Sequence, residues 1–313
     1  MLTGRLKPLV MGIFLGAWLF LPLAALAENP LRVSILRWYQ ANTFMDWKIA
    51  VGSMPHGIAF DGANMWVANK GAGTVTKIRA SDGAVLDTLP TGGLSPMGVA
   101  CDGRYVWVAN ASSDNVSMLG GVPATFPVGT SPMAVAFDGG AIWVANSGSS
   151  NVTKIVHTGT EFKTYTYAAG PSPYGIAFDG LYLWVTHFVS NKVTKLNRRG
   201  QILGTFTGGG SPLGVAFDGT NLWITNMFSN NVTKMSRTGV ILGTYAVGSQ
   251  PYGVAFDGQA VWVANSGGHT VTKLSLSGAN LGTFSVGDGP TGVAFDGAKI
   301  WVTNHDSDTV SVR

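Results

Sequence analysis

The sequence predicts an all-β fold, a seven-bladed β-propeller of four-stranded blades whose ring is closed by an N-terminal outer strand. Three observations predict it: one motif recurs seven times, its period is about 40 residues, and the two ends of the repeat region hold complementary fragments of one blade. The clearest marker of the repeat is an Asp followed by Gly. The seven marker residues are Asp61, Asp102, Asp138, Asp179, Asp218, Asp257 and Asp296.

Two more positions are the same in all seven repeats. A proline precedes each marker Asp by six residues: Pro55, Pro96, Pro132, Pro173, Pro212, Pro251 and Pro290. A tryptophan follows it by five residues: Trp66, Trp107, Trp143, Trp184, Trp223, Trp262 and Trp301. A large apolar ring at one place in every repeat is typical of packing between neighbouring units. We therefore expect the tryptophans to lie in the core.

Each repeat contains four short runs rich in strand-forming residues, which we name strands a to d. In the sixth repeat they are GVAF at 253–256, VWVAN at 261–265, TVTKL at 270–274 and LGTFSV at 281–286. The Asp-Gly pair lies in the hairpin turn between strands a and b, where Gly accepts a positive φ. Four strands in a period of about 40 residues are typical of a propeller blade.

The ends of the repeat region predict how the ring closes. The last repeat stops after TVSVR, so it has strands a, b and c but lacks strand d. Before the first repeat, DWKIAVG at 46–52 has the character of a lone strand d. Residues 46–313 therefore form the predicted propeller, and the N-terminal strand completes the last blade. An open solenoid is the alternative, but its ends would be atypical caps rather than complementary fragments.

The first 27 residues have the pattern of a secretory signal peptide. Arg5 and Lys7 precede an apolar run that ends in Ala25-Leu26-Ala27, a small-residue cleavage site. An uncleaved membrane anchor is the alternative, although the apolar run is short for a span. We expect cleavage after Ala27 and a periplasmic or secreted chain, with no stable membrane span after cleavage.

An N-terminal extension, residues 28–45, separates the predicted signal from the propeller. Within it, Leu31, Ile35 and Tyr39 are spaced by four residues, which is a helical period. The spacing predicts a short helix over 31–39.

Charge and cysteine content narrow the classes of partner. Removing Arg5 and Lys7 from the 20 Lys and Arg leaves 18 basic against 16 acidic side chains, with no dense basic run. This predicts no binding to nucleic acid. The single cysteine, Cys101, excludes an internal disulfide, so the core must hold the fold. We expect a monomer.

The recurring lysines of strand c predict a structural pairing. They are Lys77, Lys154, Lys195, Lys234 and Lys273, each 16 residues after its marker Asp. Strand c returns the chain to the end of the blade that holds the Asp-Gly turn. We therefore expect Asp–Lys ion pairs there, with a cationic ring for an anionic ligand as the alternative.

Function is expected where the repeats differ, at the opposite end of each blade, which we call the top. The entry to strand a and the loop from b to c lie there. The residue after the invariant proline should line the channel mouth: His56, Met97, Met133, Tyr174, Leu213, Tyr252 and Thr291. The Asn that ends most b strands is expected to satisfy loop backbone, and His187 takes its place in the fourth repeat. The predicted ligand-binding residues are His56, Tyr174, His187, Phe188, Met227 and Tyr252.

A second group on the top face predicts metal or acid–base chemistry. Ring closure brings the loops of the sixth, seventh and first repeats together, and these loops carry histidines and aspartates. The candidate ligands of a divalent metal are His269, Asp288, His305, Asp306 and Asp308. His56 and His305 are the candidate catalytic residues. Solvated loop residues are the alternative, because no local spacing defines a metal site.

The motifs resemble those of known propeller families. IWVTNHDSDTVSV at 300–312 and LWITNMFSNNVTKM at 222–235 resemble the YVTN-type repeat, and PHGIAFD at 55–61 resembles an NHL repeat. The repeats are also similar to those of the streptogramin (virginiamycin B) lyases. That resemblance implies a magnesium-dependent site formed by Glu and His. The lyase-like repeat ends in Glu where this chain has Asn or His187, so the ligands do not carry over by position.

Two functions follow from these observations. The first is an exported binding or scaffold module that holds an unknown protein segment or small molecule on its top face. The second is a metal-dependent lyase or hydrolase of the streptogramin-lyase type. Beyond residue 27 the chain has only two glutamates, Glu28 and Glu161. We therefore favour the binding module, because a shared fold does not by itself confer an activity.

Overall fold

The fold was obtained as a computed structural model that describes residues 47–313. These residues form seven antiparallel sheets of four strands each, which confirms the predicted all-β, seven-bladed propeller. The predicted signal peptide (1–27), the extension (28–45) and its helix over 31–39 lie outside the described residues. A 3₁₀ turn at Ser266–Gly268 is the only helical element in the described part, and no helix there is long and apolar enough to cross a membrane.

The strands are numbered in chain order and fall into the four predicted positions. The a strands are Pro55–Phe60 (β2), Pro96–Cys101 (β6), Pro132–Phe137 (β10), Pro173–Phe178 (β14), Pro212–Phe217 (β18), Pro251–Phe256 (β22) and Pro290–Phe295 (β26). The b strands are Asn64–Asn69 (β3), Val106–Asn110 (β7), Ala141–Asn146 (β11), Leu183–His187 (β15), Asn221–Asn226 (β19), Ala260–Asn265 (β23) and Ile300–Asn304 (β27). The c strands are Thr74–Arg79 (β4), Asn115–Leu119 (β8), Asn151–His157 (β12), Lys192–Leu196 (β16), Asn231–Ser236 (β20), Thr270–Ser275 (β24) and Thr309–Val312 (β28). The d strands are Lys48–Ala50 (β1), Val85–Pro90 (β5), Ala124–Pro127 (β9), Phe162–Ala168 (β13), Ile202–Thr207 (β17), Ile241–Ala246 (β21) and Asn280–Ser285 (β25).

The ring closes through the N-terminal strand, as the sequence predicts. Strand β1 pairs antiparallel with β28, and Ile49 lies opposite Val310 in that ladder. The last sheet therefore has the order β1-β28-β27-β26. This pairing covers the edge of the last blade, which would otherwise expose unpaired backbone groups.

One hydrogen bond recurs at the bottom of all seven blades. The indole Nε1–H of each repeat tryptophan donates to Oδ2 of the marker Asp in the same blade, for example from Trp223 to Asp218 at 2.7 Å. The same bond measures between 2.6 Å and 2.9 Å in the other six blades. The other carboxylate oxygen of Asp218 accepts two backbone N–H groups of its own turn, from Thr220 and Asn221. One aspartate thus shapes the turn and orients the tryptophan.

The tryptophans fill the spaces between neighbouring blades, which confirms their predicted packing role. Trp143 is fully buried and packs with Val185 and Leu183 of the next blade. Trp301 of the last blade packs in the same way on Met65 and Val67 of the first. The hydrophobic core is therefore a ring of clusters between blades.

The prediction of Asp–Lys ion pairs is wrong for most blades. Among the described residues, only Lys273 forms such a pair, with Nζ 3.8 Å from Oδ2 of Asp257. The strand-c lysines instead lie over the tryptophan rings of their own blades, as Lys77 does with Nζ 5.0 Å from the Trp66 ring centroid. In the third, fourth and fifth blades the lysine ammonium also donates to a backbone carbonyl of the following blade, for example from Lys154 to Arg198 at 2.8 Å. A cation over an indole face is itself attractive.

We predict that Asp218→Asn lowers the free energy of unfolding by about 1–3 kcal/mol, the usual cost of leaving a buried donor unpaired. The amide retains an oxygen for the turn but presents N–H groups to the Trp223 indole. Urea unfolding followed by tryptophan fluorescence measures the change. The control is Asp87→Asn at an exposed position of β5, which should leave stability unchanged. Equal stabilities of the two variants would contradict a structural role for the Asp–Trp bond.

Candidate functional site

The top end of the central channel holds the predicted mouth residues. A cavity of about 180 Å³ lies there. All seven predicted residues line it: His56, Met97, Met133, Tyr174, Leu213, Tyr252 and Thr291. They are there because each directly follows the proline that begins strand a, and the a strands are the innermost strands of the blades. Strand a supplies a similar backbone from every blade, so the side chains alone make the mouth asymmetric.

Three mouth residues form a hydrogen-bonded chain across the channel. His56 Nε2 lies 2.9 Å from the Tyr252 hydroxyl, although the two residues belong to the first and sixth blades. The Tyr252 hydroxyl is also hydrogen-bonded to the hydroxyl of Tyr174, in the fourth blade. Tyr252 therefore links two residues that approach from different sides of the ring. No two of these residues are neighbours in the sequence, and no two come from adjacent blades.

His56 is an uncharged imidazole in this site. It is 9% exposed. Burial is the main cause that lowers the pKa of His56 from 6.5 to about 3, and the positive charge of Lys70 and the nearby His305 lower it further. The backbone of Met97 has the smallest effect and acts in the opposite direction, raising the pKa of His56. Since Nε2 faces Tyr252, we infer that Nδ1–H donates to the Met97 carbonyl and that Nε2 accepts a proton from the Tyr252 hydroxyl.

The rings continue on both sides of this chain. The His305 ring centroid lies 6.5 Å from that of His56. On the other side, Phe188 lies 6.2 Å from Tyr174 and 5.7 Å from Phe228. Six rings therefore follow one another across the top face. We call them the aromatic row: His305, His56, Tyr252, Tyr174, Phe188 and Phe228. Met227, also predicted to bind ligand, immediately precedes Phe228 and is half-buried.

His187 does not reach the mouth. It is 1% exposed and ends its b strand at the position where the other six b strands end in Asn. Its Nε2 lies 2.8 Å from the Thr194 hydroxyl and its Nδ1 lies 3.1 Å from the Pro171 carbonyl oxygen. In the next blade, Asn226 makes the equivalent bond to Thr233 of the same blade. The side chain predicted to contact a ligand therefore takes part in the internal hydrogen bonds of its own blade.

Two of the predicted metal ligands connect neighbouring loops. His269 Nδ1 accepts the Gly289 N–H at 3.1 Å, and Asp308 Oδ1 accepts the Met54 N–H at 2.8 Å. In the fourth blade, Asn191 Oδ1 likewise accepts a backbone N–H of the next blade, from Ser211. All three residues lie 12 positions after their marker Asp, so alignment of the repeats could have revealed the shared role.

The remaining acidic candidates form pairs rather than a cluster. His305 Nδ1 lies 2.7 Å from Asp306 Oδ1, and His269 Nδ1 lies 3.8 Å from Asp288 Oδ1. Within residues 47–313, no group of three or more His, Cys, Asp or Glu side chains is placed to hold a metal ion. The described residues therefore do not fit the magnesium site that the resemblance to streptogramin lyases implies. His56, directed at Tyr252, does not join the His305–Asp306 pair.

Sequence reasoning did not single out the threonines that precede the last residue of three b strands. Thr186, Thr225 and Thr303 are buried, and each hydroxyl donates to a carbonyl of a mouth residue in the next blade. The other four blades have Ala at this position. The difference among repeats was a usable signal, but the target of the hydroxyl lies in another blade.

Comparison with solved structures finds the same fold in proteins of different function. A catalytically inactive virginiamycin B lyase from Staphylococcus aureus, solved with quinupristin, has a TM-score of 0.73 and 17% identity over 85% of this chain and 97% of that one. A streptogramin B lyase has a TM-score of 0.75 and 16% identity over 85% of this chain and 96% of that one. Hydrazine synthase from Kuenenia stuttgartiensis has a TM-score of 0.71 and 20% identity over 87% of this chain and 97% of that one.

These similarities extend to the fold alone, because all three identities are low. No family model and no curated protein matches the sequence. The chain is therefore a seven-bladed β-propeller of the architecture that streptogramin B lyases also have. The YVTN and NHL resemblances remain a prediction from the motifs.

We predict that His56 makes stability depend on pH between 6.5 and about 3. In this window the unfolded chain binds the proton that the buried ring excludes, so stability falls as pH falls and is fully retained above 6.5. At pH 4.5 the loss is about 2–3 kcal/mol, at ~1.4 kcal/mol for each pH unit below 6.5. Urea unfolding at several pH values measures it.

The slope of stability against pH should decrease in His56→Gln. His187, whose pKa burial also lowers, leaves a residual slope. The control is His157→Gln, at an exposed histidine in β12, and this variant should keep the slope of the natural chain. The same slope in all three proteins would contradict a buried neutral His56.

Proposed function

We propose that this protein is an exported binding module whose top face holds an uncharged aromatic or aliphatic group of a partner. The observation that carries the proposal is the aromatic row, which runs from His305 through the channel mouth to Phe228. Aromatic rings offer large contact area with few rotatable bonds, which makes them effective in recognition. The partner is a protein segment or a small molecule.

The electrostatics of the mouth support an uncharged ligand group. His56 is neutral, and burial raises the pKa of the Tyr174 phenol, so that group is neutral too. Met97, Met133 and Leu213 complete an apolar lining. No carboxylate lines this cavity, so a cationic group that entered it would lose its hydration without gaining a counter-ion there, which costs several kcal/mol. A ligand hydroxyl or amide can instead bond with the tyrosine hydroxyls.

The exposed end of the row supports contact with a partner. Phe228 is 70% exposed, and Val189 in the neighbouring loop is also 70% exposed. Neither side chain is needed to complete the core between the blades. Burial of apolar surface on binding contributes roughly 25 cal/mol per Å². The location of these residues beside Tyr174 and Phe188 connects an outer contact surface with the mouth.

Export and a monomeric state are parts of the proposal that rest on the sequence. The pattern of residues 1–27 supports a signal peptide. The near balance of charge beyond it supports neither a nucleic-acid partner nor electrostatic attachment to a membrane surface. The propeller has a closed ring with a covered last edge, which supports a chain that folds without a second copy.

The streptogramin-lyase type of activity is the second candidate, favoured by the shared fold and by the His305–Asp306 pair beside His56. A magnesium-dependent lyase needs ligands that the described residues do not group together. The two candidate functions differ in their response to metal, so one set of protein variants can distinguish between them.

We predict that the protein binds N-acetyl-tryptophanamide and N-acetyl-leucinamide but not N-acetyl-lysinamide. For ligands of this size, about 0.3 kcal/mol per heavy atom corresponds to a Kd of roughly 0.1–2 mM, the tryptophan amide being the tighter ligand. Saturation-transfer NMR and calorimetry measure the binding. Tyr252→Phe should weaken it about 3- to 10-fold, because the ring remains but the hydrogen bond to His56 is lost.

The control for the outer contact compares two exposed apolar side chains. Phe228→Ser should weaken binding, whereas Leu281→Ser on strand β25, 54% exposed, should not. Equal binding of the charged and uncharged amides would contradict the proposal. Thermal stabilisation by Mg²⁺ that disappears in His305→Ala would favour the lyase candidate instead.

A further inference from the structure

Three blades place a hydroxyl where the other four place a methyl group. The position is the last but one of strand b. It is Thr in three blades and Ala in four: Thr186, Thr225, Thr303, Ala68, Ala109, Ala145 and Ala264. All seven side chains are fully buried. Since a buried hydroxyl without a partner costs free energy, the three threonines need a specific reason for their location.

Each hydroxyl makes the same two bonds. Thr303 accepts the Gly292 N–H of its own strand a at 2.7 Å and donates to the His56 carbonyl of the next blade at 2.6 Å. Thr225 donates in the same way to the Tyr252 carbonyl at 2.6 Å. Two of the three threonines therefore hold the backbone of residues whose side chains meet in the channel. Thr186 holds the third carbonyl, that of Leu213.

The first blade shows the consequence of the methyl group. Its strand b has Ala68 at this position, and the corresponding carbonyl in the next blade is that of Met97. A Cβ added to Gly57 would lie 2.2 Å from the Met97 oxygen, as one added to Gly175 would lie 2.2 Å from the Leu213 oxygen, so the two carbonyls are placed alike. No threonine hydroxyl donates to the Met97 carbonyl, and the Met97 backbone instead interacts with the His56 ring, where it raises the pKa of the imidazole.

We propose that Thr303 and Thr225 are positioning residues for the binding site, and that Ala68 completes the arrangement by leaving the Met97 carbonyl to His56. Thr303 holds the main chain of His56, and the Met97 carbonyl is left for the Nδ1–H of its ring, so Nε2 is directed at Tyr252. Thr225 holds the main chain of Tyr252 on the other side of the same bond. The inference rests on the proposed function for its biological meaning, but the arrangement of His56 is measurable without a ligand.

The first test records the imidazole ¹⁵N signals of His56 at pH 7 in ¹⁵N-labelled protein. The natural chain should show a single tautomer with the proton on Nδ1. Thr303→Ala and Thr225→Ala should lose it, giving averaged signals of both tautomers, whereas Thr303→Ser should restore it. Each alanine variant should fold, because four blades already carry Ala at this position.

The matched control is Thr186→Ala, which removes the same two bonds beside Leu213 and should leave the His56 signals unchanged. Ala68→Thr adds a competing donor for the Met97 carbonyl and should also lose the single tautomer. Unchanged His56 signals in Thr303→Ala, or an equal change in Thr186→Ala, would overturn the proposal.

The second test measures the Kd of N-acetyl-tryptophanamide in the same variants. Thr303→Ala should raise it about tenfold, the effect of about 1.4 kcal/mol, and Leu281→Ser on the outer strand β25 should leave it unchanged. If the natural chain binds none of the amides while the tautomer results hold, the proposed function fails and the positioning role stands. If the amides bind but Thr303→Ala changes neither the Kd nor the tautomer, the positioning role fails alone.

Discussion

The hydrogen bond between the marker Asp and the tryptophan of each blade is the constraint on which the rest of the structure depends. An indole N–H buried between two blades needs an acceptor, and the Asp-Gly turn of the same blade supplies it. The bond sets the orientation of the ring that fills the gap to the next blade. Seven copies of one local arrangement therefore produce seven similar interfaces, and similar interfaces close the ring.

Because this constraint acts at the bottom and within the core, the top face is free to vary. The residue that follows each invariant proline lines the channel mouth and lies outside the apolar clusters between the blades, so it is His, Met, Tyr, Leu or Thr in different blades of the same ring. The channel then brings these variable residues within reach of one another. His56 and Tyr252, 196 positions apart in the chain, meet at 2.9 Å for this reason.

The last but one residue of strand b is Thr in some blades and Ala in others, and this difference affects how the mouth residues are held. Hydroxyls in the blades before His56 and Tyr252 hold the main chain of these two residues, whose side chains are hydrogen-bonded to each other. The likeness to streptogramin B lyases extends to the fold alone and carries no information on these side chains. Where the lyase-like repeat is expected to end in Glu, Asn and His187 form hydrogen bonds within their own blades. Activity therefore has to be assessed from the side chains at the mouth.

The sequence by itself determined the number of blades, the four strands of each blade and the closing strand, because these follow from a period, an invariant Pro-Asp-Trp spacing and complementary ends. It also identified the residues of the channel mouth, since each directly follows an invariant proline. Only the tertiary structure decided which of them interact. The pairing of His56 with Tyr252, the internal position of His187 and the loop contacts of His269 and Asp308 depend on which blades face each other across the channel or adjoin around the ring. A repeat pattern carries no such information, because every repeat predicts the same local backbone and the contacts join different repeats.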